Sequence, residues 1–191
     1  EMDVKLQGSF ATGTTAKPLT EDTSRDGIAG EYDADIALVS GNWNDPVDAL
    51  DDTLVNLEQK YGAKVDKSNK RNSCERVFFA DEGTGVRFHA DYVPIKYDGN
   101  QVTECVDREN IKWKLSPTFR IIDIYNEFDA QNQYASSCLL ILKRLRDYAG
   151  FSRQVSSIAL LTIVHEYYEN QGSYAADLLH LCNQFIDLIK T

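Results

Sequence analysis

The sequence predicts an α+β protein, with a strand-rich N-terminal lobe over residues 1–112 and a helical C-terminal lobe over 113–191. Three observations carry this. Apolar-alternating segments, YDADIALV (32–39), CERVFFAD (74–81) and GVRFHADYVPI (85–95), fall in the first part. One helix with start and stop signals, NDPVDALDDTLVNLEQKYG (44–62), lies among them. After about residue 113 helical stretches follow one another, with breaks at Gly150 and Gly172. A cleft between two such lobes is a common ligand site.

Taken in order, DVKLQ (3–7) alternates and reads as a short strand running into the turn GSFATGTTAKP (8–18). That turn is rich in small and hydroxyl residues and too flexible for a core strand. Residues 19–31 are polar and contain glycine, and read as a loop. In 44–62, Asp45 caps, Pro46 suits the first turn and Gly62 the stop, while Leu50, Leu54, Leu57 and Tyr61 recur along one stripe. A strand is expected at 63–66, a basic loop KSNKRN at 67–72, and a hairpin-like link DEGT between the strands 74–81 and 85–95. The helical segments are PTFRIIDIYNEF, QYASSCLLILKRLRDYAG, SSIALLTIVHEYYENQ and SYAADLLHLCNQFIDLIK.

Composition narrows the function. The net charge of −10 weighs against a long nucleic acid as a stable partner; if the partner is a nucleic-acid component, a small nucleotide held by metal fits better than a polymer. No apolar run approaches the ~18–20 residues of a membrane span, and EMDVKLQGSF lacks the pattern of a signal peptide, so a cytoplasmic protein without a membrane partner is expected. Cys74, Cys105, Cys138 and Cys182 are scattered, which suits reduced thiols.

The carboxylates carry the chemistry. Asp33 and Asp35 are two apart on a strand and project from one face. On the later strand Arg87, His89 and Asp91 share one face. If the two strands are neighbours, three carboxylates converge. Like charges at close range raise one another's pKa, and a divalent cation such as Mg²⁺ reverses that cost. Alone, an Asp-x-Asp at a strand start is most often a solvated edge, Asp91 can pair with Arg87, and His89 reads as a locally packed histidine or as support behind the ligands. The Gly8–Ser9 turn upstream adds backbone N–H groups and a hydroxyl, which suit a triphosphate tail.

Gly-Ser, an Asp-x-Asp strand, a third Asp on a later strand and a helical lobe together resemble the polymerase-β-like nucleotidyltransferase superfamily. QGSFATGTTAKPL, YDADIALV and FHADYVPI, with LLILKRLRDYAG and SSIALLTIVHEYY, are more closely similar to the bacterial enzymes related to cyclic GMP–AMP synthase and oligoadenylate synthetase, the CD-NTases of antiphage signalling. The resemblance covers nearly the whole chain. It implies a palm lobe built on a mixed sheet and a C-terminal helical lobe, with the active site in the cleft. Gly8 and Ser9 would hold the β- and γ-phosphates of a nucleoside triphosphate. Asp33 and Asp35 would bind two ions, Mg²⁺ or Mn²⁺, and Asp91 would complete the site for the acceptor hydroxyl. Lys143 would reach the triphosphate, assisted by Ser157. Read without the resemblance, Lys143 is a residue of a solvated helix face beside Arg144 and Arg146, and Ser157 a helix cap.

Two departures stand out. Ile158 occupies the place where relatives often carry a base-stacking aromatic, so stacking is expected from Tyr92, Tyr97 or Tyr125. Relatives are also longer, with a helix before the Gly-Ser strand. The chain is therefore expected to be either a compact member or one lacking segments, with the junction ENIKWKLSPT (109–118) reading abruptly, and a chain mass well above 21.6 kDa would decide for the second. The implied activity is Mg²⁺-dependent joining of nucleoside triphosphates into a cyclic di- or trinucleotide, with loss of pyrophosphate. Two other readings stay open: transfer of a nucleotide to an RNA or protein acceptor, and a nucleotide sensor without catalysis. Regulatory protein partners leave no mark in these residues.

Overall fold

The computed structural model describes residues 2–17, 31–61, 64–65, 71–79, 87–97, 103–151 and 154–190. Residues 19–30 of the loop expected over 19–31, the Gly62 stop, most of the basic KSNKRN loop and the DEGT link lie outside them, while Glu31, the last residue of that expected loop, already belongs to a strand.

A mixed sheet forms the N-terminal part. Its central strands are β2 (Glu31–Ser40) and β5 (Arg87–Tyr97), which run parallel. β1 (Asp3–Gln7) pairs antiparallel with β2. On the other side β4 (Glu75–Phe79) and β3 (Lys64–Val65) extend the sheet antiparallel from β5. The tail of β5 also pairs with β6 (Thr103–Asp107), which pairs with β7 (Lys112–Ser116). Between β1 and β2 stands α1 (Gly8–Ala11), a single turn.

Helix α2 (Pro46–Tyr61) starts where the sequence predicts. Asp45 Oδ1 accepts from the amides of Val47 at 2.8 Å and Asp48 at 3.3 Å, satisfying two N–H groups that a first turn leaves open. Leu50 and Leu57 are buried, and α2 lies against β3, β4, β5 and β6. Alternation along the two central strands then divides the residues. Ala34, Leu38, Ala90 and Pro94 share one face and are buried. On the other face Asp33 and Asp35 lie beside His89 and Asp91, and farther along Ala37, Val39 and Ile95 form a small core that packs on Phe119.

The four expected helices are α3 (Thr118–Gln131), α4 (Ala135–Tyr148), α5 (Ser157–Tyr167) and α6 (Tyr174–Lys190). Tyr125, Leu139, Leu142, Leu160, Val164 and Leu181 make their common core. The left-handed conformation at Gly150 and Gly172, with φ of 78° and 83°, ends α4 and precedes α6 at the two sites where the sequence places breaks.

β6 and β7 are absent from the sequence reading. β7 is KWKLS, half charged and mostly exposed, so no apolar alternation marks it. The stretch that reads as an abrupt junction contains a hairpin turn, with Ile111 at φ 51° and Asn110 bonded through its amide and side chain to the Asp107 carboxylate at 3.2 and 3.0 Å. The division expected between residues 112 and 113 falls inside β7, because its pairing with β6 carries the sheet on to Ser116. Among the described residues no helix is long and apolar enough to cross a membrane. All four cysteines are free thiols.

Candidate active site

Strand register assembles the acidic centre. Parallel pairing sets Asp33 opposite His89 and Asp35 opposite Asp91, and antiparallel pairing sets Arg76 of β4 opposite Asp91. Residues that are 56 apart in sequence thus sit side by side on one face, because neighbouring strands are only ~4.8 Å apart. Asp35 feels the arrangement most. Burial, and then the charges of Asp33 and Asp91, push its carboxyl up from the usual 3.8 to about 6, with Arg76 opposing.

Asp91 is held from the neighbouring strand by Arg76, which lies directly across; the side chain of Arg87, its expected partner, lies outside the described residues. The Arg76 guanidinium grips both Asp91 oxygens, Nε to Oδ1 at 2.5 Å and Nη2 to Oδ2 at 2.6 Å, and reaches Asp33 Oδ1 at 3.8 Å. Burial and the Asp91 charge push the nearby Cys74 thiol up to about 12, which keeps it protonated and inert.

The Gly8–Ser9 turn abuts this centre. Gly8 has φ 60°, and a Cβ there would fall on Asp35 Oδ2, so only glycine lets the backbone pass. The turn is tied to itself by hydroxyls. Thr12 Oγ1 donates to the Gly8 carbonyl at 3.3 Å and meets Thr14 Oγ1 at 2.8 Å, while Ser9 Oγ meets Thr15 Oγ1 at 3.1 Å.

Lys143 comes from α4 on the helical side. It is 4% exposed, so the solvated-face reading is corrected: its stem is buried in the lobe and its ammonium donates to the Thr14 carbonyl at 2.7 Å and Thr14 Oγ1 at 3.1 Å. Burial, then the charge of Arg146, lowers its pKa to about 8, with Asp147 opposing. Ser157 is not the cap either. Ser156 caps α5 by accepting from the Ala159 amide at 3.2 Å, which leaves Ser157 in the first turn, where Arg146 donates to its hydroxyl at 3.0 Å.

Gly8, Ser9, Asp33, Asp35, Lys143 and Ser157 all line one cavity of about 400 Å³. Asp91, beside Asp35 on the neighbouring strand, does not line it. The apolar lining is Ile121, Ile122, Ile158 and Leu161. The expected stacking tyrosines are not there. Tyr125 is wholly buried in the helical core, Tyr97 packs edge-on against Phe119, and Tyr92 lies on the strand face opposite the carboxylates.

The site's residues fit a divalent cation. Asp33, with a side chain 52% exposed, is open to the cavity, and the raised Asp35 carboxyl marks a cluster short of positive charge. Asp33, His89 and Asp91 form a group whose ligand atoms lie within 4.8 Å of one another. Arg76, Thr14 and the ligand geometry of His89 are what the sequence reading missed. Register brings in Arg76 and His89, the packing of α4 on the turn brings in Thr14, and no local signal in 71–79 or 8–18 distinguishes them.

The architecture is that of the polymerase-β-like nucleotidyltransferases, in the form taken by bacterial CD-NTases. No family model matches the chain, and no curated protein matches it by sequence. Solved structures do. The CD-NTase CdnG of Bradyrhizobium diazoefficiens, in complex with GTP, is similar at TM-score 0.72 and 16% identity over 98% of this chain and 64% of that one. The CdnE cyclic dinucleotide synthase of Elizabethkingia meningoseptica, with GTP and Apcpp, gives 0.68 and 18% over 99% and 71%. The DncV cyclic AMP-GMP synthase of Vibrio cholerae gives 0.68 and 17% over 98% and 52%. At these identities the likeness establishes the fold. The chain spans 64% of the length of CdnG and about half of DncV.

Proposed function

We propose that this chain is a metal-dependent nucleotidyltransferase that joins nucleoside triphosphates into a cyclic di- or trinucleotide, the messenger of an antiphage signalling system. The observation that carries the reading is the single cavity in which the Gly8–Ser9 turn and the Asp33–Asp35 pair face Lys143 and Ser157 of the helical side. Its relatives in fold include cyclic dinucleotide synthases crystallised with nucleotides, which supports the same substrate class here.

In this reading the turn and the Ser9 hydroxyl bind the β- and γ-phosphates, and Lys143 supplies a cation from the opposite wall. Gly8 allows the donor tail to lie against Asp35, since no side chain intervenes. Asp33 and Asp35 hold two divalent cations, Mg²⁺ or Mn²⁺, with Asp91 contributing beside Arg76. When bound, such ions supply activation of an attacking hydroxyl and neutralise charge on the leaving phosphate. The cleft orients a 2′- or 3′-hydroxyl of one nucleotide toward the α-phosphate of the next. The oxygen forms the new ester, its proton is lost, and pyrophosphate leaves. A second transfer within the linear product closes the ring. Much of the acceleration in such a site comes from positioning.

Incubation of the purified chain with all four triphosphates and Mg²⁺ or Mn²⁺ tests this. A phosphatase-resistant product with the mass of a cyclic oligonucleotide, lost when Asp33→Asn and Asp35→Asn are combined while the circular dichroism is unchanged, is the expected result. Product formation by that double variant would remove the metal role of the pair.

A further inference from the structure

We propose that His89 is a direct metal ligand of this centre, a nitrogen donor that sets it to prefer Mn²⁺, or another first-row transition ion, over Mg²⁺. The proposal rests on the reading that these carboxylates hold divalent cations.

His89 sits in the middle of β5, directly across from Asp33, and only 4% of it is exposed. Its Nδ1 lies 3.0 Å from Glu31 Oε2. A carboxylate only accepts, so Nδ1 carries a ring proton, which leaves Nε2 as the nitrogen that would offer its lone pair to a cation. This is the arrangement by which proteins orient a metal-binding imidazole, with a carboxylate behind the ring fixing its tautomer and direction.

Nε2 is buried and makes no hydrogen bond, although Asp33 Oδ1 is only 2.9 Å away. A buried polar atom without a partner costs free energy. A cation between Nε2 and Oδ1 removes that cost. The spacing suits one: donors at right angles, each ~2.1 Å from a common ion, stand ~3 Å apart. Asp91 completes the group, its ligand atom within 4.8 Å of the other two. Both its oxygens accept from Arg76 and one from the Cys74 thiol, which leaves one of the carboxylate's lone pairs for the ion. Mg²⁺ takes oxygen donors almost exclusively, whereas imidazole suits transition ions. A site with one imidazole among its carboxylates therefore discriminates between ions that an all-oxygen site accepts alike.

Mn²⁺ is the probe. The metal-free, 191-residue chain, prepared with ¹⁴N or ¹⁵N histidine, is loaded with Mn²⁺ and studied by pulsed electron paramagnetic resonance. The expected spectrum shows coupling to one directly bound histidine nitrogen, lost in His89→Gln. Calorimetric titrations are expected to show a tenfold or greater loss of Mn²⁺ affinity in that variant, with Mg²⁺ affinity changed by less than about threefold. Bound Mn²⁺ without nitrogen coupling, coupling that survives in His89→Gln, no Mn²⁺ binding, or equal losses for both ions each overturns the proposal. The spectrum of the natural protein decides even where the variant folds poorly. Cyclic product formed without nitrogen coupling keeps the proposed function and rejects the ligand; coupling without product does the reverse.

Discussion

Replacing Asp35 by Asn removes a charge that the fold holds at a cost. The carboxyl is raised from 3.8 to about 6, chiefly by burial and then by Asp33 and Asp91. A proton therefore binds the folded chain more tightly than the unfolded one. The destabilisation is fully present above about pH 6 and fades as pH falls toward the unfolded value. Each pH unit between the two values is worth 1.36 kcal/mol, which gives about 3 kcal/mol at about pH 7.5 and about 1 kcal/mol at about pH 4.5. Solvent reaching the cavity side makes these upper bounds. Asn has nearly the same shape, so little packing is lost. In metal-free buffer Asp35→Asn is thus expected to stabilise the chain at pH 7.5, raising its Tm by up to about 6–12 °C, while eliminating nucleotidyl transfer. Denaturant titrations of both proteins at the two pH values check this. A variant no more stable at pH 7.5, or a gain that does not shrink at pH 4.5, would refute the electrostatic account of Asp35. Stabilisation by removing a functional charge is expected where a site is built to wait for a cation.

Two further outcomes follow from the turn and the opposite wall. Gly8→Ala adds a Cβ where Asp35 Oδ2 stands and puts a side chain at φ 60°, so it is expected to cost at least about 1–2 kcal/mol and to weaken nucleotide binding tenfold or more; denaturation and titration with a fluorescent triphosphate measure both. Lys143 loses its charge above about pH 8, so triphosphate affinity is expected to fall roughly tenfold between pH 7 and 9. Lys143→Met is expected to bind weakly and without that pH dependence, and a variant that keeps the slope would show that another group titrates.

Local signals made much of the fold legible. The Asp45–Pro46 start of α2 and the glycine breaks at 150 and 172 are statements about single residues, and the structure has them in place. Charged, mostly exposed β7 has no such signal and is held by its pairing with β6 and the stacking of Trp113 on Trp43. In the site, spacing by itself puts Asp33 with Asp35 on one face. It does not say which strand lies beside them or in which register. A shift of one residue in the β2–β5 pairing would turn Asp91 to the α2 face. Ser157 illustrates the same limit, since two adjacent serines compete for one cap and only the backbone shows that Ser156 takes it.

The sequence by itself determined the acidic pair, the glycine–serine turn, the capped helix and the helical C-terminal part, because each depends on residues a few positions apart. Tertiary structure alone decided that Arg76 grips Asp91, that Lys143 is buried against Thr14, that the cavity's apolar wall is aliphatic, and that His89 faces Asp33 with a bare nitrogen. Those are contacts between residues 15 to 129 positions apart, and they exist only where strand register and lobe packing bring distant backbone within a few ångströms.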